Sequence, residues 1–390
     1  MSGIVQWWGL VQNEWLKFRR RRRVWIGLGG LVVLTLLVTQ SQSGLNPANT
    51  PAALAKSDRS QIVQYQAMAK QNQGAARLGD EANLLLARYD LAAVTGRTLP
   101  PMAPIIRATR RWTVAEARGH RAADGYGSAV TAYRDAQYAA AHHVELQPTS
   151  SPRSGWWLVS DVFSGTFVLL FGLLAVLLTA DILGMESHTH TWNRLWLDPP
   201  PRGPLLLAKG VLALAAAVGV MVGAGVLLFA AGTVAFGAHA GWVVNEVSYV
   251  RVLVHYPSGA FQMPAILHAR QVTPTSLANL DVLSVLGSLL PIAGVVAVAA
   301  ALGYFIHQGT LATLLAAGFA AAPVLSLAGN VSPWIAWLPG SYLEFGRWLE
   351  GQILGQSALV VSVPLALGMC VAWVALACVV VAWHQRRVEV

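Results

Sequence analysis

The segment Glu186–Gly210, ESHTHTWNRLWLDPPPRGPLLLAKG, lies between two long apolar runs of the chain. It contains charged residues, two histidines, two tryptophans and three consecutive prolines, whereas the runs on either side contain almost no charge. Both runs exceed the ~18 apolar residues that a helix needs to cross a hydrocarbon core of about 30 Å. The segment is therefore predicted to connect two membrane-spanning helices, and the side of the membrane on which it lies decides the topology of the chain.

The composition of the 390-residue chain is that of an integral membrane protein. Hydrophobic residues make up 55% of the chain and charged residues 12%, whereas charged residues make up ~25% of average soluble proteins. The mean hydropathy is +0.50. A soluble protein of this composition would expose large apolar patches, so the expected fold class is an all-α integral membrane protein.

Six apolar segments predict six transmembrane helices, with the bounds 24–40, 156–180, 211–236, 282–306, 310–329 and 358–383. Two of the remaining segments are predicted to be folded: an N-terminal interfacial elbow helix (1–23) and a mainly helical extracellular domain between spans 1 and 2 (41–155). The others are predicted to be a cytoplasmic loop (181–210), an extracellular loop (237–281), a cytoplasmic turn (307–309), an extracellular or re-entrant segment (330–357) and a cytoplasmic tail (384–390).

The distribution of basic residues predicts the orientation, because short cytoplasmic segments carry an excess of lysine and arginine. The N-terminal segment, the 181–210 loop and the C-terminal tail together carry eleven basic residues, whereas the short loops of the opposite side carry three. Both termini and the 181–210 loop are therefore predicted to be cytoplasmic. An uncleaved first span is favoured over a signal peptide, since no A-x-A-like cleavage site follows Val38.

Residues 3–19 are predicted to form an amphipathic helix that lies in the cytoplasmic membrane interface. Apolar residues recur at spacings of three and four and form one stripe: Ile4, Trp8, Val11, Trp15 and Phe18. Tryptophan favours the headgroup level, and the basic cluster of Lys17 and Arg19–Arg23 would contact anionic lipid rather than nucleic acid. The alternative is that these residues simply extend the first span.

Three segments outside the spans have patterns of their own. Helical stripes around Leu78–Ala92 and Tyr126–Val144, separated by the proline-containing stretch Thr98–Ile106, predict an antiparallel helical pair or small bundle. Alternating apolar and polar residues in Val247–Val272 indicate a short β-hairpin. The aromatic-rich segment Ser332–Ser357 is interpreted as a short interfacial or re-entrant element.

A few polar residues fall within or beside the predicted spans. Asp161, Ser164 and Thr166 lie near the outer end of the second span. Because a carboxylate at membrane depth is costly, these residues are a candidate intramembrane polar pathway; the alternative is an interfacial cap. Asp281 is predicted to cap the start of the fourth span.

The sequence predicts no catalytic residue, metal site or cofactor on this chain. His188 and His190, with Glu186, are the residues closest to a metal-ligand pattern, but no third ligand at a zinc-like spacing is obvious. Cys370 and Cys378 lie in the last apolar run and are interpreted as small buried hydrophobic residues. A G-x-x-x-x-G-K-[ST] phosphate-binding loop does not occur, so the chain is not expected to hydrolyse ATP itself.

The 181–210 loop contains a short predicted helix with one apolar face. Trp192, Leu195 and Trp196 lie at positions i, i+3 and i+4, and Asp198 and the three prolines that follow end the helix. Bulky aromatic residues on a cytoplasmic loop either rest on the bilayer or fill a groove of a partner protein. Composition alone leaves both alternatives open.

The loop resembles the stretch after the second span of type-two ABC exporter permeases, a family of ABC transporter membrane subunits. The resemblance is carried by the order Glu186, Thr191, Leu195, Pro199–Pro201, Arg202, Leu206 and Lys209. Asn13–Trp25 is similar to the family's elbow helix and first-span entry, and Trp337–Glu344 is similar to its proline-containing stretch after the fifth span. The chain departs from the family pattern at His190, where a glycine is usual, and in having three prolines rather than one.

The resemblance implies that the loop is a coupling helix that docks into a groove of a cytosolic ABC ATPase. The implied contact residues are Glu186, Thr191, Trp192, Arg194, Leu195, Trp196 and Arg202, and the implied interfacial residues of the elbow are Trp8, Trp15, Lys17 and Phe18. ATP and Mg would be bound by two copies of that ATPase. A second permease copy or a homologous permease would complete the transporter in a bacterial plasma membrane.

Two other classes of function compete with this interpretation. A non-transporting membrane sensor or scaffold would bind an extracellular ligand through its helical domain and signal through the 181–210 loop. An ion-coupled secondary transporter is disfavoured, because the predicted spans contain few central charges and no evident inverted repeat.

Overall fold

A computed structural model describes residues 2–44, 51–118, 123–146, 154–165, 167–180, 182, 202–237, 242–247, 254–255, 261–262, 272–306, 309–327, 337–349 and 363–388. The helices are α1 (Ser2–Arg19), α2 (Arg22–Gly44), α3 (Pro51–Gln71), α4 (Gly74–Val94), α5 (Met102–Arg118), α6 (Ala123–His142), α7 (Gly155–Phe163), α8 (Val168–Thr179), α9 (Arg202–Phe236), α10 (Leu277–Ile306), α11 (Gly309–Leu327), α12 (Phe345–Leu349) and α13 (Val363–Val388). The strands are β1 (Glu145–Leu146), β2 (Trp242–Val247), β3 (Val254–His255), β4 (Phe261–Gln262) and β5 (Val272–Ser276).

Four helices in the described part of the chain are long and apolar enough to cross a membrane, namely α2, α9, α10 and α13. The helices α7 and α8 pass the same test together but are bent by 70° relative to each other, as in a broken span or a re-entrant loop. α11 has a shorter apolar stretch, Leu311–Ala321. At the positions of the six predicted spans the structure therefore has four unbroken helices, one bent pair and one shorter helix.

The centre of the helical bundle is formed by α9 and α10. α9 packs against α1, α2, α7, α8 and α10, whereas α10 packs against α7, α8, α9, α11, α12 and α13. Small residues allow these helices to approach closely, and α9 buries Ala213, Ala217 and Ala224 in the common core. Large residues such as Leu36 and Leu314 are exposed instead, as expected of surfaces that face lipid.

Two glycines fix the closest approach between α7 and α9. A Cβ atom on Gly232 would lie 2.9 Å from the Cα atom of Gly155, and the N–H of Gly155 donates to the carbonyl of Gly237 at 3.2 Å. Gly219 and Gly223 have the spacing of a small-residue packing motif, but a Cβ atom on Gly219 would have no neighbour within 4 Å. The sequence motif therefore does not mark the tight contact of this helix.

Helices α3 to α6 form a helical domain between α2 and α7, which we call the inserted domain. Its core contains Tyr89, Ile105 and Ala136, so the stripe predicted on α4 does face the interior. α5 begins at Met102, inside the stretch Thr98–Ile106 that was expected to be a break. The reason is that Pro104 lies in the first turn, where the missing N–H costs no helical hydrogen bond.

A small sheet connects the inserted domain to the segment between α9 and α10. Strand β1 pairs in parallel with β2, which pairs antiparallel with β5. Strands β3 and β4 form a separate two-residue ladder within the region where a hairpin was predicted. The sequence contains no signal for β1, because a strand of two residues is too short to show any alternation.

The prediction that Asp281 caps the fourth span is wrong. α10 begins four residues earlier, at Leu277, and the hydroxyl of Ser276 accepts a hydrogen bond from the N–H of Asn279 at 3.3 Å. Asp281 therefore lies inside the helix, where it is buried. Leu277 is itself buried, so packing extends the helix beyond the point at which the apolar run begins.

Candidate functional site

The side of the bundle that carries α1, the start of α9 and the ends of α10 and α13 is called the terminal side. Here α1 is a helix separate from α2, because the chain turns at Arg20 and Arg21. It packs against α9, with Phe18 in the core of the bundle. Trp8 and Trp15 are 56% and 48% exposed. Within the stripe predicted on α1, Phe18 therefore faces the protein core, whereas the two tryptophans are exposed on the surface.

Buried charged residues occur on both α1 and α9, two helices that pack against each other. The carboxylate of Glu14 is 3% exposed and lies 2.6 Å from the Nζ atom of Lys17. Lys209, on α9, is 1% exposed. Because burying a charge is costly unless it is paired, the ion pair with Lys17 lowers the cost of burying Glu14 when α1 packs against α9.

The residues predicted to contact an ATPase lie mostly outside the described part of the chain. Glu186, Thr191, Trp192, Arg194, Leu195 and Trp196 all fall in this group, and Arg202 is the first residue of α9. The structure does place the two helices that flank this segment, since α8 ends at Thr179 and α9 begins at Arg202. Both pack against each other, so the segment is attached at both ends to one packed pair of helices.

A family comparison covers most of this architecture. The family model described as ABC-2 family transporter protein matches residues 8–338 of the chain. This chain belongs to the ABC-2 transporter family. It is a multi-pass membrane permease of an ABC transporter, and membership implies association with an ABC ATPase. No curated protein and no solved structure matches the chain significantly.

In this ABC-2 permease the bend between α7 and α8 lies next to polar residues. The amide of Gln42, at the end of α2, donates to the carboxylate of Asp161 at 2.7 Å. Ser164 follows α7 directly and caps its C-terminus. Thr166, the third residue of the predicted polar pathway, lies outside the described residues. The structure thus brings Asp161 to α2 and leaves Ser164 at the bend.

The short helix α12 closes over this bend. A Cβ atom on Gly346 would meet the hydroxyls of both Ser164 and Ser284, and the ring of Phe345 fills the space beside Gly287. Three elements of the permease, the α7–α8 bend, α10 and α12, therefore meet at one point. Only a glycine at position 346 fits this meeting point without displacing a neighbour.

Sequence reasoning missed Ser284, Ser288 and Glu344, and it assigned Asp281 only as a helix cap. Asp281, Ser284 and Ser288 are buried on one face of α10, and Glu344 is fully buried just before α12. The signal was available, because spacings of three and four residues place polar side chains on one face of a helix. The buried position of Glu344 had no such signal, since it depends on how the 337–349 segment folds back against α10.

The permease also has an apolar groove on the terminal side. The groove has a volume of about 700 Å³ and is bounded by α1, α9, α10 and α13. Its walls come from the first part of α9, at 203–214, and from the last parts of α10 and α13, at 293–301 and 374–382. All three wall segments lie in the same half of the bundle, so the groove extends over one leaflet, from its headgroup level at 203–210 to its hydrocarbon at 211–214.

Proposed function

We propose that this ABC-2 permease is the membrane subunit of an ATP-driven exporter in a bacterial plasma membrane, with both termini in the cytoplasm. A separate cytosolic ATPase would bind ATP and Mg and would supply two copies to the complex. Two permease halves, identical or homologous, would enclose the path of the cargo. Family membership and the distribution of basic residues in the loops support this proposal.

The observation that carries the coupling role is the length of α9. This helix has 35 residues, which corresponds to roughly 52 Å at ~1.5 Å per residue. The hydrocarbon core is ~30 Å thick and the whole bilayer ~40–45 Å. α9 is therefore longer than the membrane, and its excess precedes the charge-free stretch that starts at Val211.

That excess length supports contact with a partner protein over contact with lipid headgroups. Arg202 precedes Val211, where the charge-free stretch begins, by nine residues, or roughly 14 Å along the helix. This is more than the ~5–8 Å of one headgroup layer. The segment that contains Trp192 and Trp196 is thus attached to the part of α9 beyond the headgroups. A force on this segment would act on α9 directly, and α9 contacts five other helices of the bundle.

Helix α1 has a supporting role in this proposal. It would lie in the cytoplasmic interface with Trp8 and Trp15 toward lipid, while Phe18 and Glu14 hold it against α9. Movement of α9 during an ATPase cycle would then be passed to α1 and resisted by the bilayer. Lys17, which pairs with Glu14, would lie at the headgroup level.

The experiment is co-purification of the permease with its ATPase after Trp192→Ala and Trp196→Ala are introduced together. Each hot-spot residue contributes about 2 kcal/mol or more to an interface, so binding is expected to weaken at least tenfold. The control is Trp337→Ala, an exposed tryptophan on the opposite side in the proposed topology. Unchanged binding and unchanged ATP-dependent transport in the double variant would contradict the coupling role, and would favour a sensor or scaffold.

A further inference from the structure

The apolar groove on the terminal side has the properties of a ligand site rather than of a gap between helices. Its volume of about 700 Å³ lies within the ~300–1,000 Å³ typical of small-molecule sites. Many of its wall residues are glycine or alanine, including Gly203, Gly210, Ala297 and Ala377. Such residues normally let helices close together. Here α9 and α13 each pack against α10, and the groove lies between them.

The bilayer determines what fills this space. An apolar cavity does not hold water, and an unfilled one would lose the dispersion contacts of its lining atoms. The groove lies at the depth of one leaflet, beside large exposed residues such as Val379 and Leu214 that mark lipid-facing surfaces. The acyl chain of a lipid is the component of the bilayer that is present at that depth and is both apolar and flexible.

One wall residue indicates that the occupant also has a polar part. Trp7, on α1, lines the groove, and its indole N–H is buried without an acceptor among the described residues. The indole nitrogen can only donate, and leaving such a buried donor without an acceptor is destabilising. An ester or phosphate oxygen next to the acyl chain would accept this hydrogen bond.

The charge around the groove selects an anionic headgroup. The helix α13 continues from the last groove residue, Ala382, to an exposed basic residue, Arg387, and α1 ends at exposed Arg19, twelve residues beyond Trp7. The acid nearest to Arg19 along α1, Glu14, is buried and paired with Lys17. The headgroup level of the terminal side is therefore positively charged in the described part of the chain, and it complements an anionic lipid.

We propose that this groove binds one acyl chain of an anionic phospholipid from the leaflet on the terminal side, with Trp7 donating to the ester or phosphate region of the lipid. The leaflet is the cytoplasmic one if the proposed orientation holds. The site itself does not depend on the orientation, on the ATPase or on the direction of transport. It would be occupied in the resting permease.

The test uses the intact permease in nanodiscs that contain phosphatidylglycerol with a photoactivatable diazirine in the acyl chain. After illumination, adducts are mapped by mass spectrometry. We expect them to concentrate on peptides of 203–214 and 293–301 rather than on lipid-facing peptides of α2. A phosphatidylcholine probe of the same chain should label these peptides about fivefold less, the factor that corresponds to ~1 kcal/mol for a basic residue near an anionic surface.

A matched pair of variants separates the groove from bulk lipid. Gly210 lines the groove and Gly219 does not, yet both lie on α9 and a Cβ atom on either would have no neighbour within 4 Å. Gly210→Phe should therefore remove most groove adducts, whereas Gly219→Phe should leave them. Trp7→Phe retains the ring but removes the donor, and should lower labelling by phosphatidylglycerol.

Three results would overturn the proposal. Even labelling of all lipid-facing helices in the wild-type protein would mean that the groove holds only bulk lipid, and this arm needs no variant to fold. Equal labelling by the two probes would show that the groove does not select an anionic headgroup. Absence of groove adducts, together with dissociation of a dimer by Gly210→Phe, would show that a second copy of the chain occupies the groove.

Discussion

The contact between α7 and α9 allows a stability difference to be worked out from two glycines of the same helix. A Cβ atom on Gly232 would lie 2.9 Å from the Cα atom of Gly155 and 3.1 Å from the Cβ atom of Leu158. Carbon atoms in contact normally lie ~3.5–4.0 Å apart. Gly232→Ala must therefore separate the helices by roughly 0.6–1.1 Å at this point, because a backbone atom cannot rotate away as a side chain can.

Gly219→Ala is the matched substitution. It gains the same helix propensity, about 1 kcal/mol, but its Cβ atom would meet nothing within 4 Å. The propensity term cancels between the two variants, so the difference in their free energies of unfolding reports the steric term alone. Overpacking of a well-packed contact costs about 1–3 kcal/mol, and we expect Gly232→Ala to be less stable than Gly219→Ala by that amount.

The assay is unfolding of the purified permease by SDS in mixed micelles, followed by tryptophan fluorescence. The difference is read from two variants that each contain one added methyl group in α9, so it does not depend on the absolute stability. A difference below about 0.5 kcal/mol, the scatter of independent sites, or a difference of the opposite sign would refute the close approach of α7 and α9.

Two further predictions concern the inserted domain and the start of the bent pair. Burial raises the pKa of Tyr89 above its ordinary value of 10.0, so the tyrosine loses its proton at lower pH in the unfolded state than in the folded state. Its contribution to the stability of the folded state is therefore complete below about pH 10 and is lost as the pH rises further. The loss of stability at alkaline pH, measured by circular dichroism, should be smaller in Tyr89→Phe than in the wild-type protein, and an identical pH dependence of the two proteins would contradict this prediction. Asp161→Ala removes the acceptor of the Gln42 hydrogen bond and should destabilise the permease by about 1.5–3 kcal/mol in the SDS assay. Asp161→Asn retains an oxygen that can accept this hydrogen bond, so it should lose less stability. Equal losses of stability in the two variants would mean that the hydrogen bond contributes nothing.

Much of the fold was predictable because the bilayer imposes a strong and simple pattern. An uninterrupted apolar run of sufficient length is visible in the sequence, and a helix satisfies every backbone hydrogen bond within it. The helices α2, α9, α10 and α13 lie over the apolar runs for this reason. The bounds were less predictable, as α10 shows: Ser276 caps it, and the packing of Leu277 extends it past the apolar run.

The candidate sites were less predictable than the spans, because they depend on which helices meet. Asp161 stood out as a carboxylate in an apolar run, but its partner, Gln42, is more than a hundred residues away in the sequence. The groove on the terminal side is assembled from alanine, glycine, leucine and valine residues of three helices and from Trp7. None of these residues is unusual alone, and small residues in membrane helices are more often packing contacts than ligand sites.

The sequence by itself determined that the chain is a helical membrane protein of this family, because hydropathy, the basic residues at the span ends and a short ordered motif are local properties of the chain. Only the tertiary structure decided where α9 is held: tightly by Gly155 at one end, and by α1 with its buried Glu14 at the other. The same is true of the groove, the bend covered by α12 and the sheet that ties the inserted domain to the bundle. These features arise from contacts between residues far apart in the chain, and distance along the sequence carries no information about which apolar faces pack together and which remain open to lipid.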